Sequence, residues 1–251
     1  MSEPVLLSQR HDQVALITLN RPQARNALNA ELAQALCDAV AAAQDAGCIV
    51  ITGADPAFCA GLDLRNLGAD KLTEFPSYTH AMTASAVPMI AAVNGAAVTG
   101  GFEVALLCDF MVASEKAAFA DTHLRVGVYP GPVVVDLPRR VGMAWARQIS
   151  LTGDFVDAAT ALRIGLVNHL VPHADLLPFT MKLARAIAEQ PRAMVSALRH
   201  DWDESVGPPV AEARQVHGRH AVAGGFTGSR GAEIAERREA VLARSRDQRN
   251  V

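Results

Sequence analysis

The sequence predicts an α/β fold, because short apolar segments typical of buried strands alternate with segments of helical periodicity. A length of 251 residues, half of them hydrophobic, is enough for one domain with a large core. From about residue 176 the strand pattern stops and only helical periodicity remains. The predicted strands are Val14–Leu19, Cys48–Thr52, Pro88–Val93, Asp109–Ser114 and Leu166–Leu170.

The clearest predicted helix follows the first strand. Asn29 is a suitable N-cap, Leu32, Leu36 and Val40 recur four residues apart, and Gly47 is a natural stop. A second helix is expected to open at the glycine pair before Phe102, and a weaker one in the stretch between residues 71 and 85. The predicted helices after residue 176 are Leu177–Gln190, Pro191–Asp201, Val210–Val222 and Gly231–Asp247.

Composition and charge exclude several classes of protein. The formal net charge is −3, which argues against a nucleic acid or a membrane surface as the main partner. No apolar run approaches the roughly 18 residues of a membrane span, and the first residues lack a signal-peptide pattern. The cysteines form no C-x-x-C pair and are expected to be reduced, buried thiols. We therefore expect a cytoplasmic protein. The cysteines are Cys37, Cys48, Cys59 and Cys108.

Several catalytic motifs are absent from the sequence. It contains no G-x-S-x-G elbow, no H-E-x-x-H pair and no phosphate-binding loop ending in Gly-Lys-Ser/Thr. His217 and His220 stand three residues apart, but no cysteine or carboxylate of matching spacing accompanies them, so no metal site is predicted. These absences disfavour serine hydrolases, zinc enzymes and nucleoside-triphosphate enzymes.

Two loops rich in small residues, each after a predicted strand, carry the strongest functional signal. The first reads Ala57-Phe-Cys-Ala-Gly-Leu-Asp-Leu64, and the second reads Asn94-Gly-Ala-Ala-Val-Thr-Gly-Gly-Phe-Glu103. Alanine and glycine let a ligand or another backbone approach closely. If one free N–H from each loop points at the same oxygen, the pair forms an oxyanion hole for a thioester or ester carbonyl. Gly100, at the predicted start of a helix, is expected to have such a free N–H.

In combination these segments resemble the enoyl-CoA hydratase/isomerase (crotonase) superfamily. The resemblance covers roughly residues 5–200 and includes Asn20–Leu28, both small-residue loops, and Phe119-Ala120 with Gly127 and Pro130. It implies a spiral of ββα turns, with residues 1–200 as the core and residues 201–251 as a helical region used for trimerisation. It also implies an acyl-CoA substrate, a homotrimer or a dimer of trimers, and no cofactor beyond the coenzyme A of the substrate.

The resemblance also assigns site residues. The amides of Leu62 and Gly100 correspond to the oxyanion donors, and Glu103 falls on the family's first catalytic glutamate. Ala24 and Arg25 lie in the segment that usually follows the phosphates and pantetheine of coenzyme A. Three further positions fall beside the adenine, namely Ala60, Asp63 and Leu64.

One position departs from the family pattern. His123, with Asp121 two residues before it, stands where hydratases of this family place a second glutamate. A neutral imidazole can accept and donate protons near pH 7, so His123 is a candidate acid or base, although a purely structural histidine fits equally well. The valine run from residue 133 to 135 is expected to reshape the acyl pocket, and His80 is a further candidate at the acyl end.

The sequence is compatible with three functions. The first is addition of water to a 2-enoyl thioester, with Glu103 as acid and base. The second is another outcome of the same enolate, either a double-bond shift or cleavage of a carbon–carbon or carbon–heteroatom bond. The third is binding of acyl-CoA without catalysis.

Overall fold

The computed structural model describes residues 3–63 and 75–205, together with 210–212, 215, 219 and 222. It confirms the α/β class. The strands are β1 (Leu6–His11), β2 (Val14–Leu19), β3 (Cys48–Gly53), β4 (Ala57–Cys59), β5 (Met89–Val93), β6 (Ala96–Val98), β7 (Phe110–Ser114), β8 (Ala118–Ala120), β9 (Val156–Asp157) and β10 (His169–Val171). The helices are α1 (Ala30–Ala42), α2 (Tyr78–Thr83), α3 (Gly100–Leu106), α4 (His123–Val126), α5 (Val133–Thr152), α6 (Ala158–Arg163), α7 (Leu176–Ala188) and α8 (Arg192–Ser205).

The larger sheet contains the strands that the sequence predicts. Its order is β1-β2-β3-β5-β7-β10, and every neighbouring pair is parallel except β1 with β2. All residues of β3 and β5 are buried, which explains why Thr52 is the single polar side chain in these two strands. The last strand starts later than predicted, at His169, because Leu166 and Val167 are buried in the core ahead of it.

The smaller sheet completes three ββα turns. Its order is β4-β6-β8-β9, with β4, β6 and β8 parallel. Each of β3, β5 and β7 in the larger sheet is followed by one short strand of the smaller sheet and then by a helix. The chain therefore winds as the spiral of ββα turns that the resemblance implies.

Helices α1, α2, α3, α7 and α8 lie where the sequence predicts them, although several differ at their ends, whereas α4, α5 and α6 are not predicted. The Asn29 side chain accepts the N–H of Leu32 at 2.9 Å, as expected of an N-cap, but α1 ends at Ala42 rather than Gly47. The valine run opens the long helix α5, in which Val133 and Val135 are buried and Val134 is exposed.

The division of the chain into residues 1–200 and 201–251 stays a prediction. Helix α8 runs continuously through residue 200, where the expected division between core and C-terminal region falls. Most residues after 205 lie outside the described part of the chain, as does the predicted helix at 231–247.

The described part of the chain contains no helix long and apolar enough to span a membrane. All four cysteines are free thiols.

The two small-residue loops meet where β4 and its loop pack against the start of α3. A Cβ atom on Gly101 would lie 2.1 Å from the carbonyl oxygen of Cys59, so only glycine allows this approach. A Cβ atom on Gly61 would lie 2.8 Å from the carbonyl oxygen of Val98 and 3.5 Å from the amide nitrogen of Gly100. The glycines of the two loops thus bring their backbones into direct contact.

Thr99, the residue before Gly100, has a backbone conformation that residues other than glycine rarely adopt. Thr99 has φ 52° and ψ −115°. Its N–H donates to the carbonyl oxygen of Ala120 at 2.8 Å, and its hydroxyl lies 2.6 Å from that of Thr122. These bonds hold a strained residue in place, and its ψ orients the peptide that carries the N–H of Gly100.

We expect Thr99→Gly to be more stable than Thr99→Ala by about 1–2 kcal/mol. Both variants lose the hydroxyl bond to Thr122, but only alanine keeps the Cβ that disfavours a positive φ. Urea denaturation followed by circular dichroism measures the difference. An alanine variant as stable as the glycine variant would show that residue 99 is unstrained.

Candidate active site

The backbone amides of Leu62 and Gly100 lie side by side. A Cβ atom on Gly100 would be 3.7 Å from the amide nitrogen of Leu62. The chain at Leu62 pairs with Leu28 through the carbonyl oxygen of Gly61 and the N–H of Asp63, so the Leu62 N–H points the other way. Gly100 is the first residue of α3, where an N–H has no acceptor within the helix. Among the described residues, neither N–H donates a hydrogen bond.

Glu103 occupies the first turn of α3, as predicted, and its carboxyl group is buried. Its Oε1 atom accepts the N–H of Gly131 at 3.1 Å and that of Val133 at 3.5 Å. Burial raises the pKa of Glu103 above the ordinary range of a carboxyl group, and the nearby His123 offsets this only in part. A buried carboxyl group with a raised pKa is suited to general acid–base chemistry.

His123 lies at the start of α4 and faces Glu103. Its Nδ1 atom is 2.6 Å from Oδ1 of Asp121, and its Nε2 atom is 3.9 Å from Oε1 of Glu103. Burial acts to lower the pKa of His123. The hydrogen bond to Asp121 and the charges of Glu103 and Asp121 outweigh burial and raise the pKa. The structure therefore brings together the glutamate and the histidine that the sequence predicts.

Asp121 is the buried partner that orients His123. Burial acts to raise the pKa of Asp121, but the hydrogen bond and the charge of His123 outweigh burial and lower the pKa. No described group makes a well-formed hydrogen bond to Oδ2, although the Ser150 hydroxyl also favours the carboxylate. In the sequence Asp121 stands two residues before His123, but only the structure gives their contact.

Two of the residues expected along coenzyme A, Arg25 and Ala60, are in direct contact. The carbonyl oxygen of Arg25, which follows a 3₁₀ turn ending at Ala24, accepts the N–H of Ala60 at 3.0 Å. The Arg25 side chain is exposed. Asp63 is buried, and its Oδ2 atom pairs with the guanidinium of Arg21 at 3.1 Å, so its carboxylate already has a structural partner. Leu64 lies outside the described residues.

Helix α2 contributes a side chain other than the one expected. His80 is exposed, whereas Tyr78 is buried and its hydroxyl lies 3.4 Å from Oε2 of Glu103. No motif in the sequence marks Tyr78. Asn26 was also missed, and its buried amide donates to the carbonyl oxygens of Ala54 and Ala57, at 2.7 Å in each case. Asn26 therefore ties the expected coenzyme A segment to the loop before β4.

The chain is similar in sequence to known proteins over most of its length. The family profile described as enoyl-CoA hydratase/isomerase matches residues 9–238. A probable enoyl-CoA hydratase of Rhizobium meliloti is 43% identical over 208 residues, which is 78% of this chain and 80% of that protein. A crotonyl-CoA hydratase of Syntrophomonas wolfei is 34% identical over 223 residues, which is 84% of this chain and 86% of that protein.

Solved structures agree with the sequence comparison. The crystal structure of an enoyl-CoA hydratase/isomerase from Pseudoalteromonas atlantica superposes with a TM-score of 0.82 at 28% identity. The superposition covers 96% of this chain and 97% of that one. The residues matched by the family profile include both loops that carry the paired amides. This chain therefore belongs to the enoyl-CoA hydratase/isomerase family.

Proposed function

We propose that this enzyme adds water across the double bond of a 2-enoyl-CoA thioester. The observation that carries the proposal is the 3.9 Å separation of Glu103 Oε1 and His123 Nε2, close to the paired amides of Leu62 and Gly100. Addition of water to an enoyl group needs two proton-transferring groups on one face and a stabilised enolate oxygen. The described site supplies a candidate for each requirement.

In the proposed reaction the amides of Leu62 and Gly100 donate hydrogen bonds to the thioester oxygen. Polarisation of this carbonyl makes the β-carbon electrophilic and stabilises the enolate that forms when water attacks. Gly100 is also at the N-terminus of a helix, where the backbone dipoles favour negative charge. Because both donors are backbone groups, their positions are fixed before the substrate binds.

The proton steps use Glu103 and His123. The Glu103 carboxylate takes a proton from water as the water oxygen bonds to the β-carbon. The His123 imidazolium gives a proton to the α-carbon, so one water is added in total. Glu103 is then protonated and His123 neutral, and transfer of that proton from Oε1 to Nε2 restores the starting state. Asp121 supports this cycle because its carboxylate stabilises the imidazolium through Nδ1.

Coenzyme A enters the proposal as part of the substrate, and no step uses another cofactor. We assign its binding to the turn at Ala24 and Arg25 and to the neighbouring backbone of Ala60 and Asp63. The contact between Arg25 and Ala60 supports a continuous surface there. Because the Asp63 carboxylate is paired with Arg21, a contact from Asp63 would come from its backbone. Leu64 remains a candidate beside the adenine.

We also propose a homotrimer, or a dimer of trimers, in the cytoplasm. Exposed apolar side chains recur four residues apart on α8, where Met194 is 69%, Leu198 is 48% and Trp202 is 56% exposed. An exposed apolar stripe of this kind is typical of a surface that packs against another chain. Four free cysteines agree with a reducing compartment.

The imidazole of His123 stands where a second carboxylate is expected, and this favours an alternative reaction. The same enolate can lead to a double-bond shift or to bond cleavage, and His123 is the feature that would redirect the proton. A protein that binds acyl-CoA without turnover is the remaining outcome. A panel of 2-enoyl, 3-enoyl and 3-hydroxyacyl thioesters, with products identified by mass spectrometry, separates the three.

Glu103→Gln is expected to lower kcat on the accepted substrate about 100- to 10,000-fold, because it removes the general base. KM should change by less than about twofold, since the oxyanion donors that hold the substrate remain. Steady-state kinetics on 2-enoyl-CoA measure both. The control is Glu115→Gln, an exposed acid in the turn after β7. A Glu103→Gln variant with wild-type rates on every substrate would rule out this role.

Asp121→Asn is expected to move the basic limb of the kcat/KM profile to lower pH. Asp121 raises the pKa of His123, so without this charge the imidazolium loses its proton earlier as the pH rises. Activity at neutral pH should fall at least about 10-fold. The matched control is Asp38→Asn, which alters an exposed aspartate on α1. An unchanged basic limb would contradict the assignment of that limb to His123.

The double variant Met194→Glu, Leu198→Glu is expected to shift the protein towards the monomer, because charge on an apolar interface disfavours association. Sedimentation equilibrium measures the assembly. Gln34→Glu, at an exposed position on α1, controls for added charge. An unchanged oligomer would place the interface elsewhere.

A further inference from the structure

The two oxygens of the Glu103 carboxyl group have different surroundings. Oε1 accepts the N–H groups of Gly131 and Val133 and faces His123. Oε2, among the described residues, has a single hydrogen-bond partner, which is the hydroxyl of Tyr78 at 3.4 Å. The Tyr78 hydroxyl therefore donates to Oε2, whereas the proposed proton transfer to His123 uses Oε1.

Tyr78 is fixed by its position in the fold. It is the first residue of α2, where the Ser77 side chain caps the helix by accepting the N–H of His80. Tyr78 is 6% exposed and packs in the main core together with Met82 from the next turn. The hydroxyl lies 3.3 Å from the position of a Cβ atom on Gly100, so it also borders the paired amides.

The Tyr78 hydroxyl remains a donor over the working pH range of the site. Burial, followed by the charge of Glu103, raises the pKa of Tyr78 well above its ordinary value. A hydroxyl that keeps its proton can donate to a carboxylate, and a hydrogen bond to the charged form of an acid favours that form. Loss of this hydroxyl would therefore raise the pKa of Glu103.

We infer that Tyr78 is a positioning residue for the reaction: its hydroxyl fixes the rotation of the Glu103 carboxyl group, so that Oε1 stays beside Nε2 of His123. The inference rests on the proposed role of Glu103 as general base. The backbone donors at Oε1 hold one oxygen of the carboxyl group. A second donor at Oε2 is what prevents rotation about the bond to that group.

The test compares wild type, Tyr78→Phe and the packing control Met82→Leu. ¹³C NMR of protein labelled at the glutamate carboxyl carbon follows the titration of Glu103, whose resonance is identified by its loss in Glu103→Gln. We expect the Glu103 midpoint at higher pH in Tyr78→Phe than in wild type, because a donor to the carboxylate is lost. Met82→Leu should leave the midpoint unchanged. The same midpoint in Tyr78→Phe and wild type would overturn the inference.

Kinetics give a second readout. In Tyr78→Phe we expect kcat to fall about 10-fold, KM to change by less than about twofold, and the acid limb of kcat/KM to move to higher pH. A loss of stability alone would move neither limb. If wild type turns over no 2-enoyl thioester, the proposed function fails, and the NMR titration still decides the inference.

A third measurement covers the case in which Tyr78→Phe does not fold. The chain has two tyrosines, so 3-fluorotyrosine in a Tyr129→Phe background labels Tyr78 alone. The ¹⁹F resonance should follow the titration of Glu103 and should lose this response in Glu103→Gln. A resonance that is insensitive to Glu103 would overturn the inference.

Discussion

The backbone of β4 lies directly against the first turn of α3, and the candidate site depends on this contact. No side chain fits between them, since a Cβ atom on Gly101 would overlap the carbonyl oxygen of Cys59. The close approach makes the amides of Leu62 and Gly100 neighbours. Because Glu103 follows three residues later on the same short helix, its carboxyl group is fixed on the side of those amides. The two free amides and the Glu103 carboxyl group are thus placed by one backbone contact.

The charges of the site form a chain of buried groups that change one another's affinity for protons. Asp121 keeps its charge despite burial because His123 is its partner, and the same pairing raises the pKa of His123. The Glu103 carboxyl lies farther from His123, at 3.9 Å, so burial outweighs its favourable contacts and raises its pKa. A carboxyl group with a raised pKa then faces an imidazole with a raised pKa, and groups that interact in this way titrate as a pair. This arrangement explains how a histidine can occupy a position where a second carboxylate is expected.

Much of the fold can be predicted from the sequence where burial gives a strong pattern. Strands β2, β3, β5 and β7 are largely apolar runs because both of their faces are covered. Strands β4, β6 and β8 have three residues each, which is too short for any period to be visible. Helix α5 was missed because it opens with β-branched valines, contains Pro138 and is kinked at Gly142.

Residue types, their spacing and the family resemblance were enough to assign the α/β class, the two glycine-containing loops and four candidate site residues, Leu62, Gly100, Glu103 and His123. These are local properties, since periodicity, turn residues and a resemblance are all properties of the linear chain. The folded chain was needed to show that Asp121 orients His123 and that Arg21 pairs with the Asp63 carboxylate. It also shows that Tyr78, rather than His80, reaches Glu103. Such contacts join groups on separate elements or fix which way a side chain points. They are therefore set by packing of the whole chain and not by residue type or spacing.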